Sequence, residues 1–217
     1  MLLGAAALKW SYATASADQL RWVLAPTTAL VELISGASFE FESQAGYLSR
    51  ERNFLIAPSC AGVNFLLTAF LLLALKRLAR GEMRWRVLPM TALAAYLVTL
   101  VANTVRISIA LWVRETAEPY SWLHSAQFHR LEGICVYFGF LLLLFAVSEK
   151  LSSVKPSAQW QYALWPLLVY YATTLGLPLV NGAYRQGGIF WENALAVVLL
   201  PLLLLLPFAA FRRLSLR

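Results

Sequence analysis

Three residues that could act together in acyl transfer, Cys60, Arg106 and His129, stand near the ends of three different apolar segments. A thiolate can attack a carbonyl carbon, and an imidazole can take the thiol proton and later protonate the leaving amine. A guanidinium can stabilise the oxyanion that forms between these steps. Taken singly, each residue has a simpler interpretation: a small buried cysteine, an interfacial arginine and an interfacial histidine. Their joint placement favours a common site.

The segments that carry these residues are typical of a membrane protein. Of the 217 residues, 60% are hydrophobic and 13% are charged, whereas about a quarter of a soluble domain is charged. Runs that approach the ~20 apolar residues of a membrane span occur at residues 60–75, 87–113, 133–147, 160–180 and 194–211. A weaker segment, from Leu2 to about Ala15, is interpreted as a further span. We therefore predict an all-α integral membrane protein with about six transmembrane helices.

The positive charges predict the orientation of these spans. If the loop from Lys76 to Arg86 is cytoplasmic, ten Lys and Arg residues lie inside and six outside, and nine of the eleven acidic residues lie outside. This distribution follows the positive-inside rule with both termini cytoplasmic, and it accounts for the net charge of +7 without nucleic-acid binding. A helix from Arg86 to Arg106 rises about 30 Å. All three candidate residues are therefore predicted at the outer boundary of the membrane.

Two surface elements are predicted before Cys60. Residues 18–35 mix apolar and charged side chains, which favours a short extracytoplasmic amphipathic helix in the membrane interface. Residues 39–42 alternate apolar and acidic side chains, and residues 53–56 are typical of an extended segment. With Gly46 between them, these two segments predict a small hairpin on the membrane surface.

The residues around Cys60 favour a reactive thiol. Pro58 cannot continue a strand, and Ser59 is a good helix N-cap, so Cys60 is predicted in a first helical turn. Unpaired N–H groups and the positive end of the helix dipole stabilise a thiolate there. The second cysteine, Cys135, lies six residues deeper than His129 and is interpreted as a packing residue.

Arg106 and His129 each have neighbours that could support them. An arginine that faced lipid would be costly, so Arg106 is predicted to face protein or water. Asn103 lies one turn earlier on the same helical face and could donate a further hydrogen bond. Gly133 lies one turn after His129 and would let a helix or a substrate approach closely. The imidazole needs a third group to orient it, and the candidates are Glu132, Asn64 and Asn103.

The sequence resembles the exosortase/archaeosortase family in three motifs: Cys-Ala-Gly at 60–62, Asn-x-x-Arg at 103–106 and His-x-x-x-Gly at 129–133. Their order, spacing and position at helix ends also match. The stretches at 57–65 and 181–185 resemble the exosortase K subtype. The core resemblance covers about residues 39–150. It suggests a single membrane domain over residues 1–217, with an additional helical hairpin at about 160–211.

The resemblance implies a sortase-like cysteine peptidase or transpeptidase of the bacterial inner membrane, on an unrelated helical fold. Its substrates would be membrane-anchored exported proteins with a C-terminal sorting signal, made of a short motif, a spanning helix and a basic tail. Cleavage would take place at the periplasmic face. Cys60 would form a thioester with the substrate, Arg106 would stabilise the oxyanion and His129 would move the proton. No cofactor, metal or nucleic acid is expected.

Other functions are compatible with a membrane protein of this composition. The main alternative is a non-catalytic accessory or scaffolding protein in envelope or exopolysaccharide assembly, in which the three residues are structural. A transporter is disfavoured because the ionisable residues collect at one boundary and no inverted repeat is evident. A metalloprotease is disfavoured because the sequence has no His-Glu-x-x-His motif or equivalent ligand set. Hydrolysis and transfer are both open.

Overall fold

The computed structural model describes residues 15–116, 125–151 and 161–215. The predicted first span, at residues 2–15, lies almost entirely outside this part of the chain. The helices are α1 (Arg21–Ser35), α2 (Val63–Ala79), α3 (Leu88–Thr116), α4 (Ser125–Lys150), α5 (Gln161–Tyr171), α6 (Leu177–Val180) and α7 (Gly188–Ser215). A π-helical turn, Ala172–Gly176, joins α5 to α6. The strands are β1 (Glu40–Glu42), β2 (Gly46–Ser49) and β3 (Phe54–Ile56).

Three helical stretches in the described residues are long and apolar enough to cross a membrane: Pro58–Ala79, Trp85–Arg114 and Gln127–Lys150. Two shorter apolar helices cover Leu164–Val180 and Phe190–Leu205. The prediction of a mostly helical membrane protein is confirmed. The long stretches contain the spans predicted at 60–75, 87–113 and 133–147. Of the shorter ones, Leu164–Val180 falls within the prediction at 160–180, and Phe190–Leu205 overlaps the one at 194–211.

The chain divides into two compact units. The first comprises Met1–Leu67 and Ala92–Leu123, and the second comprises Thr68–Thr91 and His124–Arg217. Helices α2 and α3 each contribute residues to both units. The single membrane domain that the sequence suggests stays a prediction.

The first unit has an apolar core between α1, the sheet, α3 and the turn that precedes α2. Helix α1 confirms the helix predicted at residues 18–35 and buries Val23, Leu24 and Val31 along one face. These side chains belong to one apolar cluster with Ile56, Ala61, Val63, Leu100 and Ile107. Trp22 and Leu33 on the other side of α1 are exposed, and an apolar exposed face suits a helix at a membrane interface.

The sheet corrects the predicted hairpin. The segments predicted to pair, near 39–42 and 53–56, form the two edge strands of a three-stranded antiparallel sheet in the order β1-β2-β3. Phe41 of β1 lies opposite Tyr47, and Leu48 lies opposite Leu55 of β3. The segment predicted as the connection is the central strand, because its residues 46–49 pair with both neighbours.

Gly46 is required where β2 approaches β3. Its φ of +122° is a conformation that other residues rarely adopt, and a Cβ there would lie 2.2 Å from the carbonyl oxygen of Ile56. We therefore expect Gly46→Ala to destabilise the sheet by about 3 kcal/mol or more, measured by thermal unfolding of the purified protein. Gly36 also has a positive φ but no atom within 4 Å of a built Cβ, so Gly36→Ala is expected to cost only about 1 kcal/mol. Equal losses in the two variants would contradict this assignment.

Candidate active site

Cys60 lies on a tight bend between β3 and α2. Residues Pro58–Ala61 form a single 3₁₀ turn, and the N–H of Cys60 donates to the carbonyl of Ala57 at 2.8 Å. Gly62 follows in the left-handed conformation with φ +69°, and α2 begins immediately after it. The backbone therefore changes direction on both sides of Cys60, which leaves the thiol half-buried at a strand–turn–helix junction.

The N-cap of this turn differs from the predicted one, which was Ser59. Ser59 lies inside the turn, and Ala57, whose backbone is extended, occupies the N-cap position. The reason is that Pro58, with its fixed φ, starts the turn two residues earlier than a Ser59 cap would have done. The sequence predicts that unpaired N–H groups in this turn stabilise a thiolate. The N–H of Cys60 is not one of them, because it is bonded to the carbonyl of Ala57 within the turn.

A hydrogen bond from Asn103, which lies on α3, fixes the bend at Cys60. Asn103 is fully buried, and its Nδ2 donates to the backbone carbonyl of Cys60 at 2.5 Å. This bond joins two segments that are 43 residues apart in sequence. The sequence predicted Asn103 as a donor on the face it shares with Arg106 and as one of three candidates to orient His129, but not this bond. Since the bond is to the main chain, it fixes the position of residue 60 without involving the thiol.

Arg106 follows Asn103 by one turn of α3 and is buried, with 7% of its surface exposed. Residues three apart share a helical face, and side chains lean toward the N-terminus of their helix. Arg106 therefore shares a face of α3 with Asn103, the residue that holds Cys60. The prediction that Arg106 avoids lipid is confirmed, and the snorkelling interpretation is wrong because a snorkelling arginine keeps its head group in water.

His129 lies in the second unit, in the second turn of α4, with its side chain 40% exposed. Its Nδ1 is 3.4 Å from Oε2 of Glu132, whose side chain is 4% exposed. Gly133, the next residue, is buried. A carboxylate beside Nδ1 holds an imidazole in the tautomer whose Nε2 can accept a proton.

The three candidates for orienting the imidazole have different surroundings. Asn103 donates to the Cys60 carbonyl, and Asn64 is exposed in the first turn of α2. The Glu132 carboxylate lies 3.4 Å from Nδ1 of His129. The structure thus brings together Cys60 and Asn103 in the first unit, and His129 and Glu132 in the second.

A buried ionic network in the second unit was not predicted from the sequence. The Glu149 carboxylate accepts two hydrogen bonds from Arg80, at 2.6 and 2.7 Å, and lies 3.0 Å from Nζ of Lys76. Lys76 also donates to Oγ of Ser148 at 2.7 Å. The signal for this network was Glu149 itself, one of the two acidic residues that the predicted orientation puts on the basic, cytoplasmic side. The network ties the end of α2 to the end of α4.

Comparison with protein-family models identifies the family of this chain. A family model described as "Transmembrane exosortase (Exosortase_EpsH)" matches residues 1–147, a range that includes Cys60, Arg106 and His129. The match does not distinguish subtypes. No curated protein and no solved structure matches the chain significantly.

Proposed function

The chain belongs to the transmembrane exosortase family, and on that premise we propose that it is a membrane cysteine peptidase or transpeptidase acting through Cys60, Arg106 and His129. The family match, which spans all three residues, is the observation that carries this proposal. The family implies substrates of the PEP-CTERM type, which here means exported proteins with a C-terminal sorting signal. We also infer the K subtype, from the stretches at 57–65 and 181–185.

In the proposed reaction, the Cys60 sulfur attacks the scissile carbonyl carbon and transfers its proton to His129. The tetrahedral intermediate collapses to a thioester as the C–N bond breaks, and His129 returns the proton to the leaving amine. Water or an acceptor amine then attacks the thioester, and the thiol is restored. Arg106 stabilises the negative charge on the carbonyl oxygen in both intermediates.

The first unit supports the roles of Cys60 and Arg106. The bond from Asn103 holds the Cys60 backbone in one position, and catalytic groups gain most from such positioning. The buried guanidinium of Arg106, one turn further along the same helix, is a charge in a low-dielectric setting, where its effect on a developing oxyanion is strong.

The second unit supports the role of His129. We propose that Glu132 orients the imidazole through Nδ1, as the carboxylate does in other nucleophile–histidine systems. The contact of 3.4 Å between Oε2 and Nδ1 supports this role.

The helix ends support an outward-facing site. Helix α2 begins just after Cys60 and has Lys76 and Arg77 in its last turn, while α4 has His129 near its start and Lys150 at its end. Each helix thus ends in basic charge on the side away from its candidate residue, while α4 also carries Arg130 next to His129, one of the six basic residues predicted outside. By the positive-inside rule, the candidate residues are in the periplasmic half of the membrane.

The proposal is tested by alkylation of Cys60 with a membrane-impermeant maleimide, applied to spheroplasts of a Cys135→Ala strain. We expect labelling from the outside at pH 7, and a rate about tenfold lower in His129→Ala and in Arg106→Ala, because each residue favours the thiolate. Glu132→Gln should lower the rate by less, since it changes only the orientation and basicity of His129. Exposed Arg50, which pairs with glutamates on the sheet surface, supplies the matched control Arg50→Ala, with no expected change.

Two results would contradict the proposal. One is a Cys60 that does not react from the outer side. The other is a rate that is the same with and without His129 and Arg106, which would favour the scaffolding alternative.

A further inference from the structure

One end of the second unit carries an excess of positive charge. It is formed by the end of α2, the loop that leads to α3 and the end of α4, all of which belong to that unit. Its charged residues are Lys76, Arg77, Arg80, Arg84, Arg86 and Lys150, together with Glu82 and Glu149. Six cations against two carboxylates leave this end with a formal charge of +4.

The buried network uses one of the two carboxylates. The Glu149 side chain is fully buried, accepts hydrogen bonds from Arg80 and lies 3.0 Å from Nζ of Lys76. It therefore does not screen the cations at the surface. Because the network joins the end of α2 to the end of α4, the exposed Lys150 lies at the same end as the loop. The four cations outside the network are called the basic rim: Arg77, Arg84, Arg86 and Lys150.

An exposed tryptophan stands within the basic rim. Trp85 is 75% exposed and opens the 3₁₀ turn that precedes α3. Arg84 and Arg86, on either side of it, are also exposed. The guanidinium carbon of Arg86 lies 5.2 Å from the centre of the Trp85 ring, a distance at which the ring attracts a cation. The indole and the guanidinium are therefore presented together at the surface.

The basic rim lies where the candidate membrane spans end. The span Pro58–Ala79 ends just before the loop, Trp85–Arg114 begins at Trp85, and Gln127–Lys150 ends at Lys150. Tryptophan side chains at the ends of spans lie at the level of the lipid headgroups. The phosphate groups of the lipids are therefore at the level of the basic rim, and in the proposed orientation they belong to the cytoplasmic leaflet.

We propose that the basic rim binds the headgroups of anionic phospholipids in preference to zwitterionic ones. The forked N–H donors of arginine match the oxygens of a phosphate, and each cation at a membrane surface favours a negatively charged lipid. A lipid is favoured over an acidic soluble protein because the exposed Trp85 at a span end suits the boundary between headgroups and acyl chains. The inference does not depend on the role proposed for Cys60.

The test measures lipid binding to the full-length protein in an uncharged detergent. A ligand that binds only the folded protein raises its thermal midpoint, and the concentration dependence of the rise gives an apparent Kd. The probe is dioctanoyl-phosphatidylglycerol, which is anionic. Dioctanoyl-phosphatidylcholine has the same phosphodiester but no net charge, and inorganic phosphate at constant ionic strength tests binding of the free anion.

We expect the phosphatidylglycerol to bind at least about tenfold more tightly than the phosphatidylcholine, and inorganic phosphate to leave the midpoint unchanged. Arg84→Gln combined with Arg86→Gln should raise the Kd for phosphatidylglycerol about tenfold or more. Both side chains are exposed, so the midpoint without lipid should stay close to that of the wild type.

The matched control is Arg50→Gln combined with Arg52→Gln. It removes the same charge from the sheet of the first unit, where both arginines pair with glutamates, and the Kd should not change. Equal affinity for phosphatidylglycerol in the wild type and the Arg84/Arg86 variant would overturn the inference. A rise with inorganic phosphate equal to that with the lipid would make the rim a phosphate site instead. No rise with phosphatidylglycerol in the wild type would reject a lipid and favour an acidic protein partner.

Discussion

We expect Cys60→Ser to lose nearly all processing of a sorting-signal substrate, by about 10³-fold or more. A serine hydroxyl holds its proton much more tightly than a thiol does, and His129 would have to remove that proton unaided. The measurement is cleavage of a membrane-anchored reporter that carries a C-terminal sorting signal encoded in the same genome, followed in the host membrane by the change in reporter mass.

The matched control is the other cysteine. Cys135 lies on α4 six residues after His129 and is half-buried, and Cys135→Ala is expected to process the reporter at close to the wild-type rate. A reporter cleaved at the wild-type rate by Cys60→Ala would end the cysteine-peptidase proposal. Such a result, with the protein still folded in the membrane, is what the scaffolding alternative predicts.

The largest expected effect on stability is that of Glu149→Gln, at about 3–5 kcal/mol. The Glu149 carboxylate is fully buried and is the shared acceptor for Lys76 and Arg80. Without its charge, the two neighbouring cations lose the buried carboxylate that they share. The measurement is the free energy of unfolding in mixed micelles, from denaturant titration.

A second substitution separates the loss of charge balance from general damage. Lys76→Met, added to Glu149→Gln, removes one of the uncompensated cations and should recover part of the lost stability. Glu40, which pairs with Arg50 on the exposed sheet, provides the control Glu40→Gln, with an expected change within about 0.5 kcal/mol. A double variant less stable than Glu149→Gln alone would contradict the assignment.

Most of the helical architecture could be predicted from the sequence. The long apolar runs predicted the second, third and fourth spans, and the structure has helices there. Their ends were less accurate: the helix predicted from 133 begins at Ser125, because polar residues such as Gln127 and Arg130 extend it beyond the apolar run. The sheet was predicted in part, because residues 46–49 lack the strong alternation that marks an isolated strand.

The candidate site was predicted as a set of residue types but not as a set of contacts. The helical spacing of Asn103 and Arg106 puts them on one face, and the spacing of His129 and Glu132 does the same on α4. That the Asn103 amide bonds to the Cys60 carbonyl depends on which face of α3 meets the bend, and no local pattern contains that information. Cys60 lies at the third position of its turn and not at the first, as a Ser59 cap would have placed it, because the turn starts at Pro58.

The sequence by itself determined that this is a helical membrane protein with a cysteine, an arginine and a histidine near helix ends. Apolar run length and charge placement act locally, through the transfer of each segment between water and lipid. Tertiary structure alone decided which polar groups are paired: Glu149 with Lys76 and Arg80, and Asn103 with Cys60. Such pairings join residues that are distant in sequence, and the free energy of each depends on the burial that only the packed helices create.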